Sequence, residues 1–390
     1  MIGIISYNIH SNHMNYGAAL HSYAFQQYLK KNGAESIVID YYPKNMESYN
    51  IKYPFLNNKR FWHVRSFVRF QLDWGLGLIA NLVKYRKFRE FFDKYLNKTD
   101  KTYTYRELMS VDNIEGIPFD TFVCESDVIW KLYGKGDFDD VFFLNIPSAS
   151  GKRKVAYSPS LGSRKFDKEE ELRFKSLTND FTAISTRESQ GAQYVSELLG
   201  RKVPWVLDPT FLLADEDYSK IAVKPKDSHY LLIYNCMVND IQMVLEAKRL
   251  GKKLGLNVIE ISNFFSNKIR FDHKVKTNVG IEEFLGYFKY ADFIVCNAFH
   301  GCCFANIFMK QFYLFQRDES DFRMKNITDA LGEEHCFISC KSKTIPDNNE
   351  NIDYKKVYKQ LTMLKQNSIQ FINEQICSDS PSNFVHMGGG

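Results

Sequence analysis

The sequence predicts an α/β protein of two halves, and three observations carry that prediction. Short apolar runs of strand length alternate with stretches of helical period in β-α-β order. The pattern restarts after a charged segment, Asp215–Asp227, that contains Pro225. Polar clusters recur where predicted strands end, the place at which open parallel sheets bind ligands.

The first half opens with a strand at Ile2–Tyr7, a polar loop over Asn8–Tyr16, a helix over Gly17–Lys31 and a strand at Ser36–Asp40. Leu20, Tyr23, Ala24, Gln27 and Tyr28 fall on one helical face, and the unit has the length of a parallel crossover. Further strands are expected at Thr121–Cys124, Lys154–Ser158, Thr182–Thr186 and Val203–Leu207, with helices around Lys168–Asn179 and Ser189–Leu199. Residues 1–213 then form the first domain and residues 214–346 the second. The second runs strand His229–Asn235, helix Asp240–Leu254, strand Asn257–Ser262 and helix Gly280–Tyr290. It continues into "ADFIVCNAFHGCCFANIFMKQFYLF": a strand at Phe293–Asn297, a helix from Cys302 and a strand at Phe312–Gln316. A segment over residues 347–380, helical at Asp347–Ile376, is placed across both domains, and residues 381–390 read as a disordered tail. The expected architecture is two Rossmann-like domains facing a cleft.

Residues 53–95 are a helical insertion, aromatic and basic. They read either as a membrane-surface patch over a lipid-linked substrate or as core-packed helices with a basic solvent face. Composition narrows the function. Hydrophobic residues at 44% and charged residues at 25% are those of a globular protein. A net charge of +5 without a Lys/Arg block argues against nucleic acid. The start "MIGIISYN" lacks a signal-peptide pattern, and no run of about 20 apolar residues is present. The eight cysteines are scattered without zinc-ribbon spacing and read as reduced, small hydrophobes. A cytoplasmic protein without a metal or redox cofactor is expected.

Several strand ends carry residues able to do chemistry. Asn8, Asn15, Tyr16 and Gly17 lie in or next to the first strand-to-helix loop, which lacks the G-x-G-x-x-G pattern of dinucleotide sites. Asn15 also suits a plain helix cap. "VCESDVIWK" ends a strand with Glu125, Ser126 and Asp127, followed by Trp130. Carboxylates there suit acid–base work or a grip on sugar hydroxyls, and one of them can equally cap a helix. Ser158 closes the next strand in "YSPSLG". Arg187 and Glu188 follow in "STRESQGAQYV"; the arginine can pair bidentately with a carboxylate or phosphate, or simply with Glu188. "LDPTFLL" ends at Asp208–Pro209, which also reads as a plain turn. His300 and Gly301 stand where a strand hands over to a helix, whose N-terminus attracts anions. An enzyme acting on an anionic substrate is the natural reading.

In order, "NYGAALHSYAFQQYLKKNG", "ESDVIW", "YSPSLG", "STRESQGAQYVSELLG", "VLDPTFLL" and "ADFIVCNAFHGCCFANIFMKQF" resemble the polysaccharide pyruvyltransferase family, over about residues 2–331. The resemblance implies a GT-B-like fold. It also implies transfer of the enolpyruvyl unit of phosphoenolpyruvate to a sugar, galactose-type, of a cell-surface polysaccharide or its lipid-linked precursor, with release of phosphate. By motif, His300 matches the family's key histidine and Arg187 its phosphoenolpyruvate-contacting arginine. Some members have an arginine two residues before the histidine, where this chain has Ala298. Arg317, Arg323 and Lys310 are the substitutes expected to supply that charge, with Gly301 beside them. On this reading His300 is the acid or phosphate partner, Asp127 or Glu125 the base, and Asn8, Asn15, Tyr16, Gly17, Ser158 and Trp130 line the acceptor side. Partners are phosphoenolpyruvate and a sugar or lipid-linked acceptor, with work at the inner face of the membrane a further expectation. The rivals are a GT-B glycosyltransferase using a nucleotide sugar and a non-enzymatic sugar-binding protein.

Overall fold

The computed structural model describes all residues except 8–13, 45–74, 76, 134–136, 163, 236–237, 320–321, 349 and 378–390. Asn8, residues 53–74 of the insertion and the expected tail lie outside the described residues.

Strands β1 (Ile2–Ser6), β2 (Ser36–Ile39), β5 (Thr121–Glu125), β6 (Arg153–Tyr157) and β7 (Ala183–Ile184) form one parallel sheet in the order β2-β1-β5-β6-β7. The pair β3 (Tyr41–Tyr42) and β4 (Tyr103–Thr104) forms a two-stranded ribbon. The second lobe is a parallel sheet of β8 (Tyr230–Asn235), β9 (Asn257–Ser262), β10 (Lys274–Lys276), β11 (Phe293–Cys296), β12 (Phe312–Phe315) and β13 (Phe337–Ile338) in the order β10-β9-β8-β11-β12-β13. Central strands such as Ile2–Ser6 and Thr121–Glu125 are buried along their whole length, as expected of parallel strands covered on both faces. In each sheet the chain winds outward one way and then the other. The reversal falls between β1 and β5 in the first sheet and between β8 and β11 in the second, and such switch points open a crevice at the carboxyl ends of the strands.

Among the described residues the fold differs from the sequence reading at several points. Val203–Leu207 forms no full strand: it touches the sheet through one bridge, Thr186 to Trp205. Pro204 cannot donate to a ladder there. The helix expected from Cys302 starts at Phe299, with Ala298 as its N-cap, so His300 and Gly301 lie in its first turn. The Tyr16–Lys31 helix is buried nearly all round rather than on one face, because the second lobe covers its exposed side. Tyr16 stacks on Phe284 at 4.4 Å and 10° and donates its hydroxyl to the Val279 carbonyl at 2.8 Å. Tyr16 is therefore a bolt between lobes and not an acceptor ligand.

The described part of the insertion is the Leu78–Tyr95 helix. Phe88, Phe91 and Phe92 are buried on it. Its lysines meet carboxylates of the second lobe: Lys87 to Glu283 at 2.6 Å and Lys94 to Glu282 at 3.0 Å. Lys84 reaches Asn263 at 2.8 Å over the Tyr16 ring. This portion follows the core-packed alternative. The Tyr354–Gln375 helix touches both lobes. Its Ser368 hydroxyl accepts from the Leu207 amide at 2.8 Å, and the Tyr354 hydroxyl donates to the Lys310 carbonyl.

Candidate active site

The site is built from the β1/β5 switch point upward. Ser6 and Glu125 are register partners at the ends of β1 and β5. Glu125 is fully buried and accepts from Ser6 Oγ at 2.6 Å and Ser22 Oγ at 3.0 Å. His21 Nδ1 lies 3.0 and 3.1 Å from its two oxygens. A carboxylate so enclosed touches no substrate, so Glu125 is not the base. Immediately after it the chain bends: Ser126 and Asp127 take φ of 49° and 53°, and Ser158 beside them takes 55°. Left-handed geometry costs a non-glycine residue about 1–2 kcal/mol, and such strain concentrates at functional sites. The bend is pinned by backbone bonds from Ser126 to Tyr157 and from Ser160 to Asp127. It turns Asp127 to the crevice.

Asp208 is the hub. Its Oδ1 accepts from the amide and hydroxyl of Thr210, at 3.0 and 2.8 Å, as N-cap of a short 3-10 turn. Its Oδ2 receives Ser126 Oγ at 2.9 Å and Arg187 Nη1 at 3.1 Å, and lies 3.5 Å from His300 Nε2. Arg187 is buried; Nε binds Glu188 at 3.1 Å, Nη2 lies 3.9 Å from Asp127, and its guanidinium covers the Phe299 ring at 4.4 Å.

His300 arrives from the other lobe. Its ring lies on Gly17 so closely that a Cβ there would meet Nδ1 at 2.0 Å. Only a glycine permits that approach. The His300 and His21 rings stack at 5.9 Å and 24°. Gly17 and His21, one helical turn apart, thus present one face to the second lobe.

Electrostatics follow from these contacts. Burial opposes the Asp127 charge, but Arg187, His21, His300 and Arg323 outweigh it and bring its pKa down to about 2. Asp208 behaves likewise: burial is overcome by His300, Arg187 and His21, leaving its pKa well below the usual range. Burial pulls His21 toward the neutral form, yet Glu125, Asp208 and Asp127 raise its pKa overall.

The remaining expected site residues divide. Arg323, on the Phe322–Leu331 helix, acts on Asp127, and Arg317 stands half-buried past the end of β12. Lys310 precedes β12, on the opposite edge of the sheet from its carboxyl end, and burial lowers its amine's pKa; it belongs to no part of the cluster. Trp130 is sealed among Phe143, Phe174 and Phe181 and donates to the Phe142 carbonyl at 3.2 Å, so it is core and not a sugar platform. Asn15 caps the first helix through Ala18. Ser158 is buried, its hydroxyl without a hydrogen-bond partner. Gly301 packs on Cys296 and Tyr234, where a Cβ would come within 2.8 Å of sulfur. Sequence reading missed His21 and undervalued Asp208. The available signals were a histidine four residues after Gly17 and an Asp-Pro-Thr at a strand-like end.

Among the described residues, no group of three or more His, Cys, Asp or Glu side chains is placed to take a metal ion. No described helix is long and apolar enough to cross a membrane. No curated protein matches the chain. Among solved structures, a Listeria monocytogenes protein provisionally named a UDP-N-acetylglucosamine 2-epimerase is similar, with 11% identity, coverage of 98% of this chain and 99% of that one, and TM-score 0.53. Arabidopsis thaliana UGT89C1, solved with UDP-L-rhamnose, aligns with 10% identity, coverage of 96% and 94%, and TM-score 0.47. The first likeness supports the two-lobed, GT-B-like fold. The model of the family "Polysaccharide pyruvyl transferase" matches residues 15–319, a span that contains Gly17, Asp127, Arg187, Asp208 and His300. With that match, the chain belongs to the polysaccharide pyruvyl transferase family, and its reaction is transfer of the pyruvyl unit of phosphoenolpyruvate to a polysaccharide acceptor.

Proposed function

We propose that pyruvyl transfer takes place between the two lobes, at the point where His300 meets Asp208, Arg187 and Asp127. The observation that carries this reading is the Gly17–His300 contact, which brings an imidazole from one lobe onto an ion-pair network of the other. His300 protonates the methylene carbon of phosphoenolpyruvate, and the neighbouring carbon becomes oxocarbenium-like. A sugar hydroxyl, oriented by Asp127, attacks it; the carbon–phosphate-oxygen bond then breaks and a second hydroxyl closes the ketal. Two hydroxyl protons are released: one replaces the proton given to carbon, and the other leaves with phosphate. A carboxylate kept at about 2 is a weak base, which suits it to accept a hydrogen bond from a hydroxyl attacking a strong electrophile. Arg187 Nη2, 3.9 Å from Asp127, and Arg323 offer charge to the donor's anionic groups.

The acceptor we infer is a galactose-type sugar of a cell-surface polysaccharide, supplied as a lipid-linked precursor at the inner membrane face. Exposed Ile79, Leu82 and Val83 at the start of the Leu78–Tyr95 helix support a peripheral membrane contact. Phosphate release from phosphoenolpyruvate across a panel of galactosides and other glycosides, with the ketal methyl followed by NMR, tests the reaction. Acceptor-dependent release with a ketal product supports it, whereas sugar-nucleotide binding without any release favours the glycosyltransferase alternative. Flotation with anionic liposomes tests the membrane part, and absence of association would sink it.

A further inference from the structure

His21 is the buried titratable group that the reaction scheme leaves unused. It sits in the second turn of the Tyr16–Lys31 helix with no exposed surface. Its Nδ1 must donate, because both Glu125 oxygens lie within 3.1 Å and Oε1 already accepts from Ser6 and Ser22. Its other nitrogen, Nε2, is buried and has no hydrogen-bond partner. Asp127 Oδ2 lies 4.0 Å from it. A buried polar atom left without a partner is costly, and such an atom calls for a reason.

Asp127 supplies that reason. Its Oδ1 is taken by the Val128 amide at 2.7 Å and faces Arg187 Nη2 at 3.9 Å. Oδ2 is the oxygen left for a hydroxyl, and His21 Nε2 stands behind it. A shift of about 1 Å brings the two into hydrogen-bond range. We propose that His21, anchored by Glu125, is a positioning residue for pyruvyl transfer: its Nε2–H closes on Asp127 Oδ2 when the sugar is bound and fixes that carboxylate to receive the attacking hydroxyl. The inference rests on the role of Asp127 given above. The charged or titratable groups facing His21 are Glu125 and Asp127 from the end of β5, Asp208 from its turn, and His300 from the second lobe. Burial pulls the ring toward its neutral form, and Glu125, Asp208 and Asp127 outweigh it and raise its pKa, the direction that favours a two-sided donor.

The two ring nitrogens can be tested apart. His21→Asn places an amide near Nδ1 and keeps the bond to Glu125, whereas His21→Gln reaches the Nε2 position and gives up Glu125. The expected result is an asparagine variant that melts near wild type yet loses about 10²-fold in kcat/KM for the acceptor, within the usual worth of acid–base help, with phosphoenolpyruvate KM little changed. The glutamine variant melts lower but is the more active of the two. A purely structural His21 gives the opposite order of activities and overturns the proposal. A substrate-free readout keeps the result separate from the reaction assignment. In protein labelled with ¹⁵N-histidine, Asp127→Asn is expected to move the His21 titration to lower pH. An unmoved titration removes the coupling, whatever the assays show. If wild type releases no phosphate with any acceptor while the titration moves, the reaction assignment fails and the His21–Asp127 coupling stands.

Discussion

The two switch points of this molecule have the same topology and opposite chemistry. At the end of β1 and β5 the crevice is filled with ionisable groups: Glu125, Asp127 and His21, with Arg187 and Asp208 beside them. At the end of β8 and β11 the equivalent place holds amides. Asn297 donates to Asn235 at 3.2 Å and to the Val238 carbonyl at 3.0 Å, and Asn235 donates to Asn239 at 3.1 Å. Asn235, Asn267 and His273 together enclose the buried Glu260. The second lobe turns these amides and Glu260 mostly on one another and sends His300 across to the first lobe. One topology therefore serves two purposes, charge storage in the first lobe and delivery of a histidine in the second, and position at a switch point alone does not define a reactive site.

The sharpest way to break this comparison is to remove the delivered group. His300→Ala is expected to lower acceptor-dependent phosphate release about 10²–10⁴-fold, read by coupled phosphate assay; near-normal turnover would return the chemistry to the first lobe alone. Next comes the network that receives it. Arg187→Ala leaves Asp208 buried beside uncompensated charge and is expected to cost about 3–5 kcal/mol, measured by urea unfolding. A loss below about 1 kcal/mol would mean that the first-lobe charges are far better hydrated than their burial indicates.

The pH dependence of stability follows from the same groups. His21 has a raised pKa in the fold, so its contribution is complete below the ordinary value of about 6.5 and fades as pH rises through the elevated one. Asp127, brought to about 2, contributes above the ordinary carboxylate value of about 3.9 and loses that contribution as pH falls toward 2. Melting temperature is therefore expected to plateau between these limits and decline on both sides, and the alkaline decline should vanish when His21→Gln is combined with Glu125→Gln. The smallest catalytic effect belongs to the amide lobe. Asn297→Ala is expected to cost about 1–3 kcal/mol of stability while turnover per folded molecule changes only a few-fold. A hundredfold loss in turnover would make the amides part of the chemistry.

Much of this was legible in the chain. The strand runs from Ile2 and from Phe293, the helix at Ser189–Leu199 and the strand at Asn257–Ser262 follow directly from period and turn residues. His300, Arg187 and Asp127 could be picked out because each sits just past a strand. His21 could not be, since a histidine inside a helix looks like any core residue until Glu125, 104 positions away, is folded against it. Trp130 and Tyr16 misled for the converse reason. An aromatic next to a polar motif suggests a sugar platform, and only packing reveals whether its face is covered by Phe143 or Phe284. Gly17 reads in the sequence as a helix start and an acceptor-side residue, whereas its missing side chain makes room for an imidazole from the other lobe.

That contact is also the most direct test. Gly17→Ala adds one methyl group where His300 Nδ1 now lies, and in a helix alanine is intrinsically favoured over glycine by about 0.5–1 kcal/mol, so loss of helix propensity cannot explain a defect. The measurement is acceptor-dependent phosphate release from phosphoenolpyruvate by Gly17→Ala beside wild type, with melting temperature recorded for both. The predicted result is a folded protein whose turnover falls about 10²-fold, the usual penalty for displacing a reacting group by about 1 Å. Wild-type turnover in a folded Gly17→Ala protein would show that His300 need not sit against the first lobe, and would contradict a reaction centre shared between the two.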